Sequence, residues 1–507
     1  MHGATKYIVA VSCSILSLVC LTSGQTVDLT LTVDASGRDV VDAVIYKITA
    51  SKIFPSDYNF LKRVAYVESR YGVNNITTNG GIWRIREAIY LRTKNVTGFP
   101  TLIVTPIANI STAFAINWLT TNYADLRKPL YSGLAMSLYL ASLNMTIPQT
   151  LISQGTFWQA NYNQDISRNA TNYVTDATNA ETAEGTCSGR MDLVIVCDGS
   201  GSIGLNDFNT AKQFIINLMA TFDIESTRMG CMFYSTNSTP VFPLNHTLSL
   251  KEMQAAVTAF QYQGGWTFTN NALETAVGIF NNANVRAGLP RIMALFTDGM
   301  STEKNVSNIA LAKALGVVSF AVGIGSAINE TELTQIAYGD TARVYKLDSY
   351  DSLKGFQRYL NSETCGVPIT PRIGQVVADA VKLDERRYFK YDLSDDNNVK
   401  VMIDTTNGDT MGYYSFSVEN PNSALHDGVL GDDIVIRVAD AENLRRKARS
   451  VEYLDADAEY PNVVYVAVQG MMNDMNNYTI QAMPVRTQGK NPMWLILILG
   501  VAYVGVA

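Results

Sequence analysis

Residues 192–204 read DLVIVCDGSGSIG, and few stretches leave a chain so little choice of fold. Residues 193–196 are a continuous apolar run, which suits a strand buried on both faces of a parallel sheet. The glycine-punctuated turn that follows carries Asp198, Ser200 and Ser202, so one carboxylate and two hydroxyls leave the carboxyl end of a strand together. Open α/β sheets bind their ligands at that end. Small oxygen ligands suit a hard divalent cation, Mg²⁺ first, with Mn²⁺ or Ca²⁺ as substitutes. Two later loops offer the rest of a coordination set. Thr267 stands in GGWTFTNNAL at the start of a helical pattern, and Asp298 stands in RIMALFTDG just beyond another buried apolar run, residues 292–296.

The surrounding text alternates. Buried-strand runs at 193–196, 229–234, 292–296, 317–322 and 342–347 are interleaved with helical patterns at 206–221, 250–260, 270–282, 307–315 and 329–338. Such alternation predicts a doubly wound α/β domain, a parallel sheet with helices on both faces. DGSGS, the threonine of GWTFT and the aspartate of TDG, in that order and context, resemble the metal-ion-dependent adhesion site of von Willebrand factor A (VWA) domains, the fold shared with integrin I domains. The resemblance covers residues 187–365. It implies that Ser200, Ser202 and Thr267 contact the metal directly or nearly so, and that Asp198 and Asp298 act largely through water. The cation then stays electrophilic, and an acidic residue of a protein partner completes its coordination. In the family the two ends of the fold lie side by side, which implies a Cys187–Cys365 disulfide. Cys197 and Cys231 fall in two buried strands, either as free core thiols or as one strained bridge. No histidine accompanies them, and His2, His246 and His426 are scattered.

At 507 residues the chain has room for roughly three domains. Its 47% hydrophobic and 17% charged content is globular, and a net charge of −7 without a basic run argues against nucleic acid as a partner. Ahead of the α/β segment, YNFLKRVAYVESRY (58–71) puts Leu61, Val64, Ala65 and Glu68 on one helix face, with Gly72 as its stop. A glutamate ending such a face is partly desolvated, which raises its pKa and keeps it protonated as a general acid. The plain alternative is a last-turn glutamate paired with Arg63 or Arg70. VESRYG followed by NGGIWRI resembles the lysozyme and lytic-transglycosylase superfamily, where a catalytic glutamate and a serine close a helix and a glycine-rich hairpin follows. Glu68 maps onto that acid and Ser69 onto the next residue. Residues 128–144 read as a buried central helix started by Pro129, and 147–163 resemble the closing segment of such a domain. Residues 25–163 are thus expected to form an α-rich lysozyme-like domain. GGIWRI departs from the usual GLMQ-like motif, and no aspartate lies between Glu68 and Glu87 to serve as the second carboxylate of glycoside hydrolysis. Transglycosylases escape that need because a hydroxyl of the sugar itself attacks. Residues 164–186 are polar, without an apolar period, and read as a linker.

Residues 366–488 turn to strand alternation in RRYFKYDL, VKVMIDTTNGDTMGYYSFSV, VVYVAVQG and NNYTIQAM, which predicts a β-sandwich of jelly-roll type, similar in pattern to prepeptidase C-terminal sandwiches. Asn407-Gly408 is a two-residue hairpin signal within it. The charged stretches 444–450 and 454–459 read as solvated loop faces. At the ends, residues 1–24 have the form of a signal peptide cleaved near Gln25, which would remove Cys13 and Cys20. Residues 489–507 have that of a hydrophobic anchor: a glycosylphosphatidylinositol (GPI) signal with attachment at Gly489 or Asn491, a short membrane span, or a buried terminal helix. N-glycosylation sequons stand at Asn75, Asn95, Asn109, Asn144, Asn169, Asn237, Asn245, Asn305, Asn329 and Asn477. Together these features describe an extracellular, secreted or surface-attached adhesion or matrix protein that binds a carboxylate of a protein ligand through a cation. The alternative is a glycan-cleaving enzyme with Glu68 as its acid and the α/β domain as a targeting module; between them lies a glycan-binding lectin on a retired hydrolase fold.

Overall fold

The computed structural model describes residues 26–74, 80–163, 165–183, 189–245, 247–281, 285–303, 305–393, 398–430, 435–436 and 462–485. The signal-peptide and anchor segments, Cys187, Asn75, Gly489, Asn491 and both charged stretches of the last region lie outside them. In chain order the described residues form a helical region, an α/β region and an antiparallel β region.

The helical region opens with a two-residue strand, β1 (Val27–Asp28), and contains α1 (Arg38–Ala50), α2 (Phe60–Ser69), α3 (Glu87–Thr93), α4 (Pro100–Phe114), α5 (Pro129–Leu143), α6 (Leu151–Asn161) and α7 (Ala170–Ala183). Helix α5 is apolar all round and sits at the centre, with Leu130, Leu134, Ala135, Met136 and Leu138 all buried. Its Gly133 lets α1 approach closely, since a Cβ there would lie 2.6 Å from Val44 Cγ1. Helix α7 departs from the expected linker. It lays Tyr173, Ala177 and Ala180 against the core at helical spacing. The buried stripe is one tyrosine and two alanines, too weak an apolar signal among Asn and Thr to show in the text. Buried Arg63 fastens this helix, with Nε donating to Glu181 Oε1 at 2.7 Å and Nη1 to Gln154 Oε1 at 2.7 Å.

The α/β region comprises β2 (Met191–Asp198), α8 (Gly204–Met219), β3 (Thr227–Tyr234), β4 (Ser238–Asn245), α9 (Leu250–Ala259), α10 (Thr269–Phe280), β5 (Arg291–Thr297), α11 (Ile309–Ala314), β6 (Val317–Ile324), α12 (Glu330–Ile336), β7 (Val344–Leu347) and α13 (Leu353–Cys365). The sheet order is β4-β3-β2-β5-β6-β7. Strand β2 is buried along its whole length, between parallel neighbours β3 and β5. Leu193, Ile195 and Cys197 face one core and Val194 and Val196 the other, so helices cover both faces. The parallel expectation needs one correction: β4 runs antiparallel to β3 at the edge. Pro240 and Pro243 hid it from the alternation, and an edge is where a strand tolerates proline. Cys197 and Cys231 are buried free thiols in the same core. Cys365 is disulfide-bonded.

The last region contains β8 (Val376–Val381), β9 (Arg386–Asp392), β10 (Asn398–Asn407), β11 (Thr410–Ser415), β12 (Leu425–His426), β13 (Gly428–Leu430), β14 (Val435–Ile436), β15 (Val463–Gly470) and β16 (Asn476–Val485). Two four-stranded sheets, β14-β10-β16-β8 and β13-β11-β15-β9, enclose Phe389, Tyr391, Val399, Val401, Val466, Val468 and Ile480. Asn407-Gly408 is not a hairpin turn: β10 pairs with β16 and β11 with β15, so this turn carries the chain from one sheet to the other. Asn476 pins it, accepting from Asp409 N at 2.9 Å, while Gly408 has φ +80° and no room for a Cβ beside the same carboxamide.

The regions abut. Tyr58 Oη and Gln149 Nε2 both donate to Lys346 O, at 2.6 and 2.8 Å, and Asp348 N donates to Gln149 Oε1 at 2.9 Å. Val418, Ala424 and Leu425 of the β region complete the helical core, β1 pairs with β12, and Arg386 is ion-paired with Asp39.

Candidate metal centre

Three loops meet at the carboxyl ends of β2 and β5. Gly199 N donates to Tyr234 O at 2.7 Å, tying the DGSGS turn to the end of β3. Gly264 N donates to Gly199 O at 3.1 Å and Gly201 N to Gly265 O at 2.9 Å, which lays the GGWTFT loop across that turn. Thr302 N donates to Thr267 O at 2.8 Å, joining the TDG loop to both. The fold therefore brings the segments of Asp198, Ser200, Ser202, Thr267 and Asp298 to one place. Gly265 has φ +92°, and a Cβ there would lie 2.5 Å from Thr236 Oγ1, so the close crossing requires glycine.

Within the cluster, Ser200 N donates to Asp198 Oδ1 and Thr297 Oγ1 to Asp198 Oδ2, both at 2.8 Å. Ser202 Oγ donates to Asp298 Oδ1 at 2.8 Å and lies 3.1 Å from Ser200 Oγ. Asp198 and Ser200 are fully buried and Thr267 is buried. Burial pushes the Asp198 carboxyl up to about 6 against the pull of its hydrogen bonds, and burial also raises Asp298. Among the described residues no lysine or arginine pairs with either group. Two desolvated carboxylates among hydroxyls, with no basic partner, form a donor set that a hard divalent cation would satisfy and that an uncharged site would not need.

Three nearby residues were not singled out in the sequence. Thr297 holds the second oxygen of Asp198, Tyr262 Oη donates to Ser200 O at 2.9 Å, and Glu332 of α12 accepts from Ser301 N at 3.0 Å. Thr297 stands inside TDG and could have been read there; nothing local marks Tyr262 or Glu332.

Glu68 lies in the helical region, apart from this cluster, in the last turn of α2. It lines a polar pocket of about 230 Å³ with Arg70, Asn74, Arg84, Arg168 and Asp176. Trp158 Nε1 donates to Glu68 Oε1 at 2.8 Å, and burial raises the carboxyl above its ordinary range. Neither Arg63 nor Arg70 pairs with it: Arg63 goes to Glu181, and Arg70 to Asp176 at 2.7 Å. Asp176 supplies the pocket with a second carboxylate from α7, which lies in the segment expected to be a linker. Ser69 Oγ donates to Ile82 O at 2.6 Å and accepts from Gly72 N at 2.8 Å, binding the end of α2 to the GGIWRI loop.

Of the sequon asparagines, Asn95, Asn109, Asn144, Asn169, Asn237, Asn305 and Asn477 are exposed; Asn329 is half-buried and caps α12 through Thr331 N and Glu332 N. Asn245 lies in edge strand β4. Among the described residues no helix is long and apolar enough to cross a membrane.

Residues 192–358 match the family model of the von Willebrand factor type A domain, and the chain carries such a domain there. Among similar proteins are matrilin-1 of Gallus gallus, 35% identical over 167 residues (31% of this chain, 34% of matrilin-1), and the collagen alpha-4(VI) chain of Mus musculus, 31% identical over 197 residues (38% and 8%). The collagen alpha-1(XXI) chain of Xenopus laevis is 29% identical over 203 residues (39% and 21%). The match thus spans no more than about a third of any of these relatives. Among solved structures, proximal thread matrix protein 1 (PTMP1) of the mussel byssus, with a zinc-occupied MIDAS motif, is 22% identical over 39% of this chain and 52% of that one, at a TM-score of 0.32.

Proposed function

We propose that this is an extracellular adhesion or matrix protein whose VWA domain binds a carboxylate of a protein partner through a divalent cation held by Ser200, Ser202, Thr267, Asp198 and Asp298. The observation that carries the reading is that buried Asp198 and half-buried Asp298 stand among hydroxyls and that, among the described residues, no lysine or arginine pairs with either. The cation, Mg²⁺ or Mn²⁺ or Ca²⁺ in its place, supplies a positive centre with room for an outside oxygen. The chain's own contribution is to hold three loops rigid and two carboxylates desolvated, so that the apo site is short of positive charge. Relationship to matrilins and collagens supports the extracellular setting. Binding of the full chain to an immobilised matrix preparation is expected in Mg²⁺, and is expected to be lost in chelator and in Asp198→Ala; retention in both conditions contradicts the reading.

A second reading belongs to the helical region. Glu68 is raised by burial and held by Trp158 in a polar pocket, which supports reading it as a general acid toward a glycan. Release of reducing ends from chitin or peptidoglycan by the full chain, abolished in Glu68→Gln, would support it; no release from either polymer would retire the region from catalysis.

A further inference from the structure

The rim of the metal centre carries three large apolar side chains in water. Leu205 is 57% exposed, Trp266 64% and Met300 61%. Single exposed apolar residues are ordinary, but these three stand within three residues of Ser202, Thr267 and Asp298, on two loops and the first turn of α8. The backbones around Trp266 and Met300 are pinned. Trp266 N donates to Thr236 Oγ1 at 2.9 Å, and Gly265 before it is locked in its positive φ by the crossing loops. Met300 sits between Gly299, whose N–H bonds Thr297 Oγ1 at 3.3 Å, and Ser301, held by Glu332 through N–H and by Thr267 O through Oγ at 3.3 Å. Leu205 lies in the first turn of α8, after Gly204 at φ +71°. Two pinned loops and the first turn of α8 therefore present an indole, a thioether and an isobutyl group to solvent beside a polar centre. That pattern, apolar anchors beside one charged contact, is how a protein–protein hot spot is built.

We propose that the partner offers its acidic residue flanked by large apolar side chains, and that Trp266, Met300 and Leu205 receive those flanks. The proposal rests on the cation-bridged reading above. The flanks would expel water from the contact, and a carboxylate and a cation attract more strongly where water is excluded. A partner whose acidic residue lies among serines and glycines would form the same bridge but leave it wet.

The test uses the full chain in solution and three immobilised nine-residue peptides with centres Phe-Glu-Leu, Ser-Glu-Ser and Phe-Gln-Leu, each in Mg²⁺ and in EDTA. The expected result is that Phe-Glu-Leu binds about tenfold or more tightly than Ser-Glu-Ser in Mg²⁺. The triple variant Leu205→Ser, Trp266→Ser, Met300→Ser should lower Phe-Glu-Leu to the level of Ser-Glu-Ser while binding stays sensitive to EDTA. Equal binding of the two glutamate peptides, both lost in EDTA, overturns the apolar rim and leaves the cation bridge standing. Phe-Gln-Leu binding as well as Phe-Glu-Leu, with no effect of EDTA, overturns the bridge itself. No retention of any peptide at about 1 mM, an affinity weaker than about −4 kcal/mol, overturns both.

Discussion

Glu363 shows what one desolvated group can do to the pH profile. It stands on α13; burial pushes its carboxyl up to about 7, Tyr345 Oη donating at 3.2 Å and the charges of Arg343 and Lys62 work against that rise, and Asp57 adds to it. In the unfolded chain a glutamate titrates near 4.5. Between about pH 4.5 and 7 the folded protein therefore holds a proton that the unfolded chain has released, so this group's contribution to stability falls as pH rises through that window. Glu363→Gln keeps an acceptor for Tyr345 and removes the titration. It should stabilise the protein by roughly 1–3 kcal/mol at pH 8 and by little at pH 4.5. Urea unfolding at the two pH values checks this, and an unchanged pH dependence in the variant contradicts it.

At the scale of elements, α7 is secured by Arg63, which is 4% exposed and lies 2.6 Å from Glu181. Among the described residues, Arg63→Ala leaves Glu181 one ion pair, the longer, solvent-facing contact to Arg358 at 3.7 Å. A loss of about 3–5 kcal/mol is expected, read as a lower urea midpoint, because removing one partner strands the other's charge. A loss below about 1 kcal/mol would mean that α7 is held by its apolar face alone. This helix also marks where the sequence stopped being legible. Strands β2, β5 and β6 and helices α2 and α5 could be read because each carries a strong apolar period or run. The loops that follow β2 and β5 could be read because glycines and short oxygen side chains stand at fixed offsets. Helix α7 could not, since its buried stripe is one tyrosine and two alanines among Asn and Thr, whereas α13, with buried Leu353, Phe356 and Leu360 at helical spacing, carries a period of its own that could have been read. The Asn407-Gly408 turn was a true local signal, but which strands pair across it is decided by Asn476 and by the two sheets' cores, not by the dipeptide. The centre's oxygen residues stand in local motifs, while Glu332 and Tyr262 reach it from elements with no motif of their own.

At the scale of the molecule, the helical and α/β regions are joined at the end of β7, where Tyr58 and Gln149 make three hydrogen bonds to residues 346–348. Tyr58→Phe with Gln149→Ala removes all three, about 1 kcal/mol each. The expected consequence is calorimetric: one cooperative transition in the native chain becoming two separated ones in the double variant. A single transition with an unchanged midpoint would show that packing alone couples the regions. The whole account turns on the cation. Isothermal titration of the chelator-stripped full chain with Mg²⁺ and with Mn²⁺ tests it most directly. The account predicts one saturable site per chain, absent in Asp198→Ala when circular dichroism shows that the variant is folded; no saturable binding, or identical binding in the folded variant, would contradict it.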